Sequence, residues 1–113
     1  MNIPFSPPDI TEEEIEAVAE VMRSGWITTG PKTKELERKM AEFTHTNRGV
    51  CLNSATSCME MALRLFEIGP GDEVIVPAYT YTASASVVCH VGATLRLVDV
   101  EKGTFHIDYA AVE

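Results

Sequence analysis

Basic residues are scarce in this chain. Nine lysines and arginines stand against 17 aspartates and glutamates among 113 residues, for a formal net charge of -8. A surface that grips duplex phosphates works by releasing counterions to clustered Lys and Arg. The one basic stretch, Lys32, Lys34, Arg38 and Lys39, is interrupted by Glu35, Glu37 and Glu42. No nucleic-acid partner is expected, and the acidic surplus reads as a solubilising surface. Long apolar runs are also missing. Nothing approaches the ~20 residues of a membrane span, so no membrane partner is expected either. The opening stretch MNIPFSPPDITEEEIE carries neither the basic n-region nor the apolar h-region of a secretory leader, and the expected compartment is the cytoplasm.

Cysteine and histidine are sparse and scattered. Cys51, Cys58 and Cys89 are odd in number and form no CxxC pair. Their neighbourhoods (VCLN, TSCMEM, VVCHV) suit small buried hydrophobes better than nucleophiles or metal ligands. His45, His90 and His106 lack the i,i+3 or i,i+4 spacing of ligands, and no metal site is expected. Internal repeats, low-complexity tracts and flexible linkers are absent. What remains is 45% hydrophobic and 23% charged, the balance of an ordinary globular protein with the length of one modest domain.

Two amphipathic helices come first. Thr11-Glu12-Glu13-Glu14 reads as a capping box, Ile15, Val18, Ala19 and Met22 recur at helical spacing, and Ser24-Gly25 stops the run. After the loop Trp26-Ile27-Thr28-Thr29-Gly30-Pro31, a second helix is expected from Lys32 or Thr33 to Phe43, with Leu36, Met40 and Phe43 on one stripe. Both stripes imply packing partners. From Arg48 the texture changes. The pattern predicts a strand over 49–52, a helix over 57–66, a strand over 73–76 and a helix over 82–90. A strand over 94–100 and a short extended piece over 104–106 follow, with a last helical turn capped by Asp108. Strand, helix, strand, helix, strand with short links is the grammar of a parallel sheet. Three such strands leave open edges, and one turn of helix cannot offset its own nucleation. The sequence is therefore expected to be cut from a longer protein.

Open parallel sheets bind ligands at the carboxyl ends of their strands, which singles out two junctions. At Asn53-Ser54-Ala55-Thr56-Ser57, small side chains let an anion approach the free N–H groups of a new helix, and the Thr56 and Ser57 hydroxyls offer two more donors. The competing reading is a plain N-cap on Ser54. At Pro77-Ala78-Tyr79-Thr80-Tyr81-Thr82, an aromatic side chain is placed to stack on a planar ring, or to cap a core with its hydroxyl wet. Together the junctions fit a phosphorylated aromatic ligand. Trp26 either lines a substrate pocket or subunit contact, or anchors its own loop.

The segments SGWITTGPKTKELE, NSATSCMEMALRL, GPGDEVIVPAYTYTAS and LRLVDVEKGTFHID stand in this order and spacing. Together they resemble the N-terminal part of the DegT/DnrJ/EryC1/StrS family of sugar aminotransferases, which depend on pyridoxal 5'-phosphate (PLP). The resemblance implies an α/β fold: the N-terminal part of an aspartate aminotransferase-like domain, a parallel or mixed sheet with flanking helices, truncated. It divides the chain into an N-terminal helical segment, 1–47, and the first part of the large PLP-binding domain, 48–113. Ala55 and Thr56 are then expected to hold the PLP phosphate, and Tyr81 falls where the family sets an aromatic over the pyridine ring. Thr28, Thr29 and Gly30, with Trp26 beside them, fall in the loop that borders the sugar-nucleotide site at a homodimer interface. Tyr79 is left as structural.

The family's Schiff-base lysine, and the aspartate that pairs with the pyridine nitrogen, are expected beyond Glu113. Lys32, Lys34, Lys39 and Lys102 do not follow a strand end near the cradle, so this stretch alone contains no catalytic residue and is expected to be inactive. The whole enzyme would move an amino group from an amino acid to a nucleotide-linked keto sugar, as in polysaccharide biosynthesis. Two alternatives stay open: a lysine-less sugar dehydratase of the same family, and a non-enzymatic α/β module that binds phosphate or a protein.

Overall fold

A computed structural model describes Ile3 and residues 5–112. The chain forms two compact units, 1–51 and 52–113. The first holds α1 (Glu12–Arg23) and α2 (Pro31–Phe43). The second holds α3 (Ala55–Leu65), β1 (Glu73–Pro77), α4 (Thr82–His90), β2 (Thr94–Val98) and a 3-10 turn at Tyr109–Ala111.

In the first unit the capping box forms as its residues require. The Glu13 N–H donates to Thr11 Oγ1 at 3.3 Å, and the Thr11 N–H donates to the Glu14 carboxylate at 2.6 Å. The Thr11 side chain and then its backbone N–H hold the Glu14 carboxyl below the usual carboxylate range. Helix α2 begins at Pro31, earlier than expected, because proline at the first helical position sacrifices no needed N–H and has its φ preset. The apolar stripes are real, yet within the chain they are uncovered. Helix α1 buries no residue, α2 buries only Ala41, and Val18, Met22 and Phe43 are 60, 68 and 81% exposed.

The expected strand over 49–52 is not formed. The Cys51 N–H, which a ladder would use, donates instead to Glu37 Oε1 of α2 at 3.0 Å. Gly49 lies so close to α2 that an added Cβ would meet the Glu37 carbonyl oxygen at 2.7 Å. The segment is thus tied to a helix, and the sheet has two strands among the described residues, where the sequence pattern led us to expect three.

Those two strands are parallel, in register from Glu73↔Thr94 to Pro77↔Val98. The ladder runs one step further, with the Ala78 N–H donating to Val98 O at 2.8 Å. Helix α4 connects the strands and packs on both, and α3 packs on α4. The core is small and aliphatic: Val76 from β1, then Ala83, Val87 and Val88 from α4 and Val91 just after it. β2 stops at Val98, two residues short of expectation. Val100 instead forms an isolated antiparallel bridge with Ile107, so 104–106 lie in a turn and not in an extended piece.

The cysteines also depart from expectation. Cys51 is half-buried, whereas Cys58 and Cys89 are exposed, because α3 buries none of its residues and α4 turns Ala83, Val87 and Val88 inward. Every α-helix ends on a left-handed residue: Gly25 (φ 72), His45 (φ 54), Glu67 (φ 59) and Gly92 (φ 79). No helix is long and apolar enough to cross a membrane, and no cluster of metal-ligating side chains exists, among the described residues.

Candidate functional site

The second unit presents two helix N-termini from elements that pack together, α3 and α4. At α3, Ser54 adopts an extended conformation (φ -162, ψ 157), which aims its hydroxyl back at the first turn. Its Oγ accepts from the Ser57 N–H at 3.1 Å. Ser57 Oγ in turn donates to Asn53 Oδ1 at 2.7 Å. The Cys58 N–H reaches Ser54 O at 3.1 Å. The Cys58 bond is the first ordinary bond of the helix, and Ser54 Oγ serves one of the donors that every helix start leaves over. The N–H groups of Ala55 and Thr56 have no protein acceptor among the described residues.

The N-cap and anion-cradle readings are therefore compatible: Ser54 serves one donor and leaves two facing outward. No acidic side chain stands in the first turn to repel an anion. Ala55 is exposed and Thr56 half-buried. Ser57 is a correction: its hydroxyl is committed to Asn53, so it is not the spare donor expected of it.

At α4 the N-cap is Tyr81, in extended backbone (φ -69, ψ 140) and without a side-chain cap bond. Its ring is 81% exposed, which leaves an aromatic face uncovered at the carboxyl end of β1. The two helices are tied by a link that local sequence pattern does not announce. Glu60 of α3 accepts from its own neighbour Arg64 at 2.7 Å and meets His90 Nδ1 of α4 at 3.0 Å. The Arg64 hydrogen bond first, then that of His90, holds the Glu60 carboxyl below the usual range.

In the first unit, the loop after α1 borders an open cleft of about 520 Å³, whose lining includes Trp26, Thr28, Gly30, Glu20 and Lys32. Thr29 does not line it, but the Thr29 carbonyl accepts from Trp26 Nε1 at 3.0 Å. Gly30 is buried beneath the indole; a Cβ there would overlap Trp26 Cδ1 and Nε1. Trp26 thus anchors its own loop while leaving 57% of itself exposed along the cleft. Trp26, Thr28 and Gly30 are brought together around one cavity, and Ala55, Thr56 and Tyr81 stand on the paired helix starts of the other unit.

Phe105 was not singled out from the sequence. Its ring stacks on Tyr79 with centroids 5.1 Å apart and planes at 25°. The two positions lie in separate loops, and no spacing rule connects them.

Comparison with known proteins identifies the family and the fold. The sequence profile of the DegT/DnrJ/EryC1/StrS aminotransferase family matches residues 8–113. A Streptococcus pneumoniae protein named as a sugar aminotransferase, solved in apo, PMP and PLP forms, is 63% identical, with a TM-score of 0.91 over 99% of this chain and 28% of its own in the apo form. The aminotransferase from Psychrobacter cryohalolentis is 35% identical, with a TM-score of 0.86 over 96% of this chain and 28% of its own. The UDP-4-amino-4-deoxy-L-arabinose–oxoglutarate aminotransferase of Shewanella sediminis is 43% identical over 98% of this chain and 29% of its own length. The chain therefore spans less than a third of these relatives. With a profile match along almost all of its length and a mixed α/β structure that superimposes closely on these solved enzymes, the chain belongs to the DegT/DnrJ/EryC1/StrS aminotransferase family.

Proposed function

We propose that this chain is the cofactor-phosphate and ring-stacking portion of a PLP-dependent aminotransferase acting on a nucleotide-linked keto sugar. The observation that carries the reading is the pair of unbonded N–H groups on Ala55 and Thr56, on a helix packed against the one that begins at the exposed ring of Tyr81. Helix starts favour a phosphate dianion through free N–H groups and the aligned peptide dipoles, and an aromatic face favours a planar heterocycle. The residues present fit PLP on both counts, and the Streptococcus pneumoniae relative, solved with PLP and with PMP, supports the choice.

In this reading Ala55 and Thr56 hold the phosphate, and Ser54 keeps their turn rigid by capping Ser57. The Tyr81 ring shields one face of the heterocycle from water. Trp26, Thr28, Thr29 and Gly30 border the sugar nucleotide, with the Trp26–Thr29 bond holding the loop in shape. When bound, PLP supplies the electron sink that lets an amino group leave an amino acid and join a keto sugar. The lysine and aspartate that such chemistry needs come from the part of the enzyme outside this stretch. Lys32 and Lys39 face Glu20 and Glu35 at 3.9 and 2.8 Å, in the unit without the cradle. Glutamate as amino donor, a homodimer and a cytoplasmic location belong to the same proposal.

A competition titration on the complete encoded polypeptide tests it. PLP is expected to displace inorganic phosphate, and Tyr81→Ala to abolish that preference. Equal affinity for PLP and phosphate in the unaltered protein would refute the site and favour a simple anion-binding module.

A further inference from the structure

The loop that carries Tyr81 is held in an unusual way. Its start is pinned by the Ala78 N–H on Val98 O at 2.8 Å, and its end by the Ser84 N–H on Tyr81 O at 2.9 Å. Between these anchors the N–H groups of Tyr79, Thr80 and Tyr81 find no protein acceptor among the described residues. Side chains hold the loop instead. Thr80 Oγ1 meets Ser84 Oγ at 3.2 Å, and the Tyr79 ring stacks on Phe105.

Phe105 is itself on firm ground. Its turn is closed by the Glu101 N–H on His106 O at 2.9 Å, the Thr104 N–H on Glu101 O at 3.0 Å and the Asp108 N–H on Asp99 O at 3.0 Å. Tyr79 and Phe105 are 68 and 77% exposed, so within this chain the pair fills no core. What it does is join the loop after β1 to the turn after β2, two residues before the ring at Tyr81.

We propose that Tyr79 and Phe105 are positioning residues that fix the Tyr81 ring for stacking on the cofactor, which makes the turn after β2 part of the cofactor site at one remove. The proposal rests on the PLP reading above, and it adds two residues that do not touch the ligand. An offset aromatic stack depends on ring area and not on the phenolic hydroxyl, which separates the pair's role from that of a hydrogen-bonding tyrosine.

The test is PLP titration of the complete encoded polypeptide, read by the induced circular dichroism of bound PLP, with inorganic phosphate as competitor. Tyr79→Leu and Phe105→Leu are each expected to weaken PLP binding by about three- to tenfold, the loss of one aromatic pair, and to reduce the induced signal. The double variant should be no worse than either single one, because both break the same contact. Tyr79→Phe should retain the signal and affinity of the unaltered protein, and phosphate affinity should not change in any variant. The proposal is overturned if the leucine variants bind PLP within twofold of the unaltered protein, if Tyr79→Phe is as weak as Tyr79→Leu, if the double variant loses the product of the single losses, or if phosphate weakens in parallel. Failure of the PLP reading itself looks different: the unaltered protein would then show no preference for PLP over phosphate.

Discussion

Replacing Gly30 by alanine is expected to dislodge the only tryptophan of the chain. Backbone conformation raises no objection, since Gly30 has φ -152 and ψ -156, open to any residue. The objection is the indole, whose Cδ1 and Nε1 occupy the space a methyl group needs. Trp26 must swing away and give up its 3.0 Å bond to the Thr29 carbonyl. A net hydrogen bond is worth about 1 kcal/mol. The ring is 57% exposed, so roughly 100 Å² of its surface is covered, equivalent to at most ~2.5 kcal/mol if all of it becomes wet. Alanine is also a poorer N-cap than glycine, by about 0.5–1 kcal/mol.

A total loss of about 1–3 kcal/mol is expected, since the freed ring will find partial cover elsewhere. Urea denaturation followed by circular dichroism measures the loss, and Trp26 fluorescence reports its cause: a red-shifted emission and faster acrylamide quenching. In a Trp26→Ala background the same substitution should cost only the capping difference. Unchanged emission and quenching, or an equal cost in both backgrounds, would refute the steric account.

Other expectations follow from the helix ends, the core and the ion pairs. His45 and Glu67 hold left-handed backbone at φ 54 and 59, so His45→Gly and Glu67→Gly should each raise the melting temperature, by about 0.5–1 kcal/mol of stability once the looser unfolded chain is counted. Gly92→Ala should do the reverse, because φ is 79 and the new Cβ would sit 3.2 Å from Pro70 Cγ. Val88 is 1% exposed, and Val88→Ala should cost about 2 kcal/mol in a urea melt from lost burial and the cavity left behind. Glu73 is held below its ordinary range by the Arg96 guanidinium, which donates from Nε at 2.9 Å. A carboxylate with a depressed native pKa stabilises above its unfolded value, and that contribution fades as pH falls through the native one. Arg96→Leu should therefore lower stability slightly at neutral pH and leave it unchanged below the native pKa, flattening the acid limb by that same small amount, because the pair is exposed.

What was legible in the sequence is what local chemistry decides. The Thr11 capping box, the Ser54 N-cap, the bounds of α4 at Thr82–His90 and the turn cap on Asp108 all rest on neighbours a few positions apart. The misses share the opposite property. Whether 49–52 becomes a strand depends on where Cys51 sends its N–H, and Glu37 took it. Whether Cys58 and Cys89 are covered depends on what lies over α3 and α4, and apolar neighbours in sequence do not say. The Ser57 hydroxyl was read as free because its bond to Asn53 competes with a ligand in a way composition does not show. The Tyr79–Phe105 stack joins separate loops and was invisible for the same reason.

The placement of the core also bears on how the second unit assembles. All of its buried hydrophobics lie between positions 76 and 91, on one strand and the helix that follows. Pairing β1 with β2 closes a loop of ~20 residues, at an entropic cost of about 2.7 kcal/mol before any constant term. Helix α4, nine residues long and rich in β-branched and small side chains, is too short to persist by itself in water. Neither the strand pair nor the helix can therefore wait for the other. The pair and its crossover helix are expected to form in one cooperative event with Val87 and Val88 at its centre, so truncating either valine should slow refolding in a stopped-flow measurement as well as hasten unfolding.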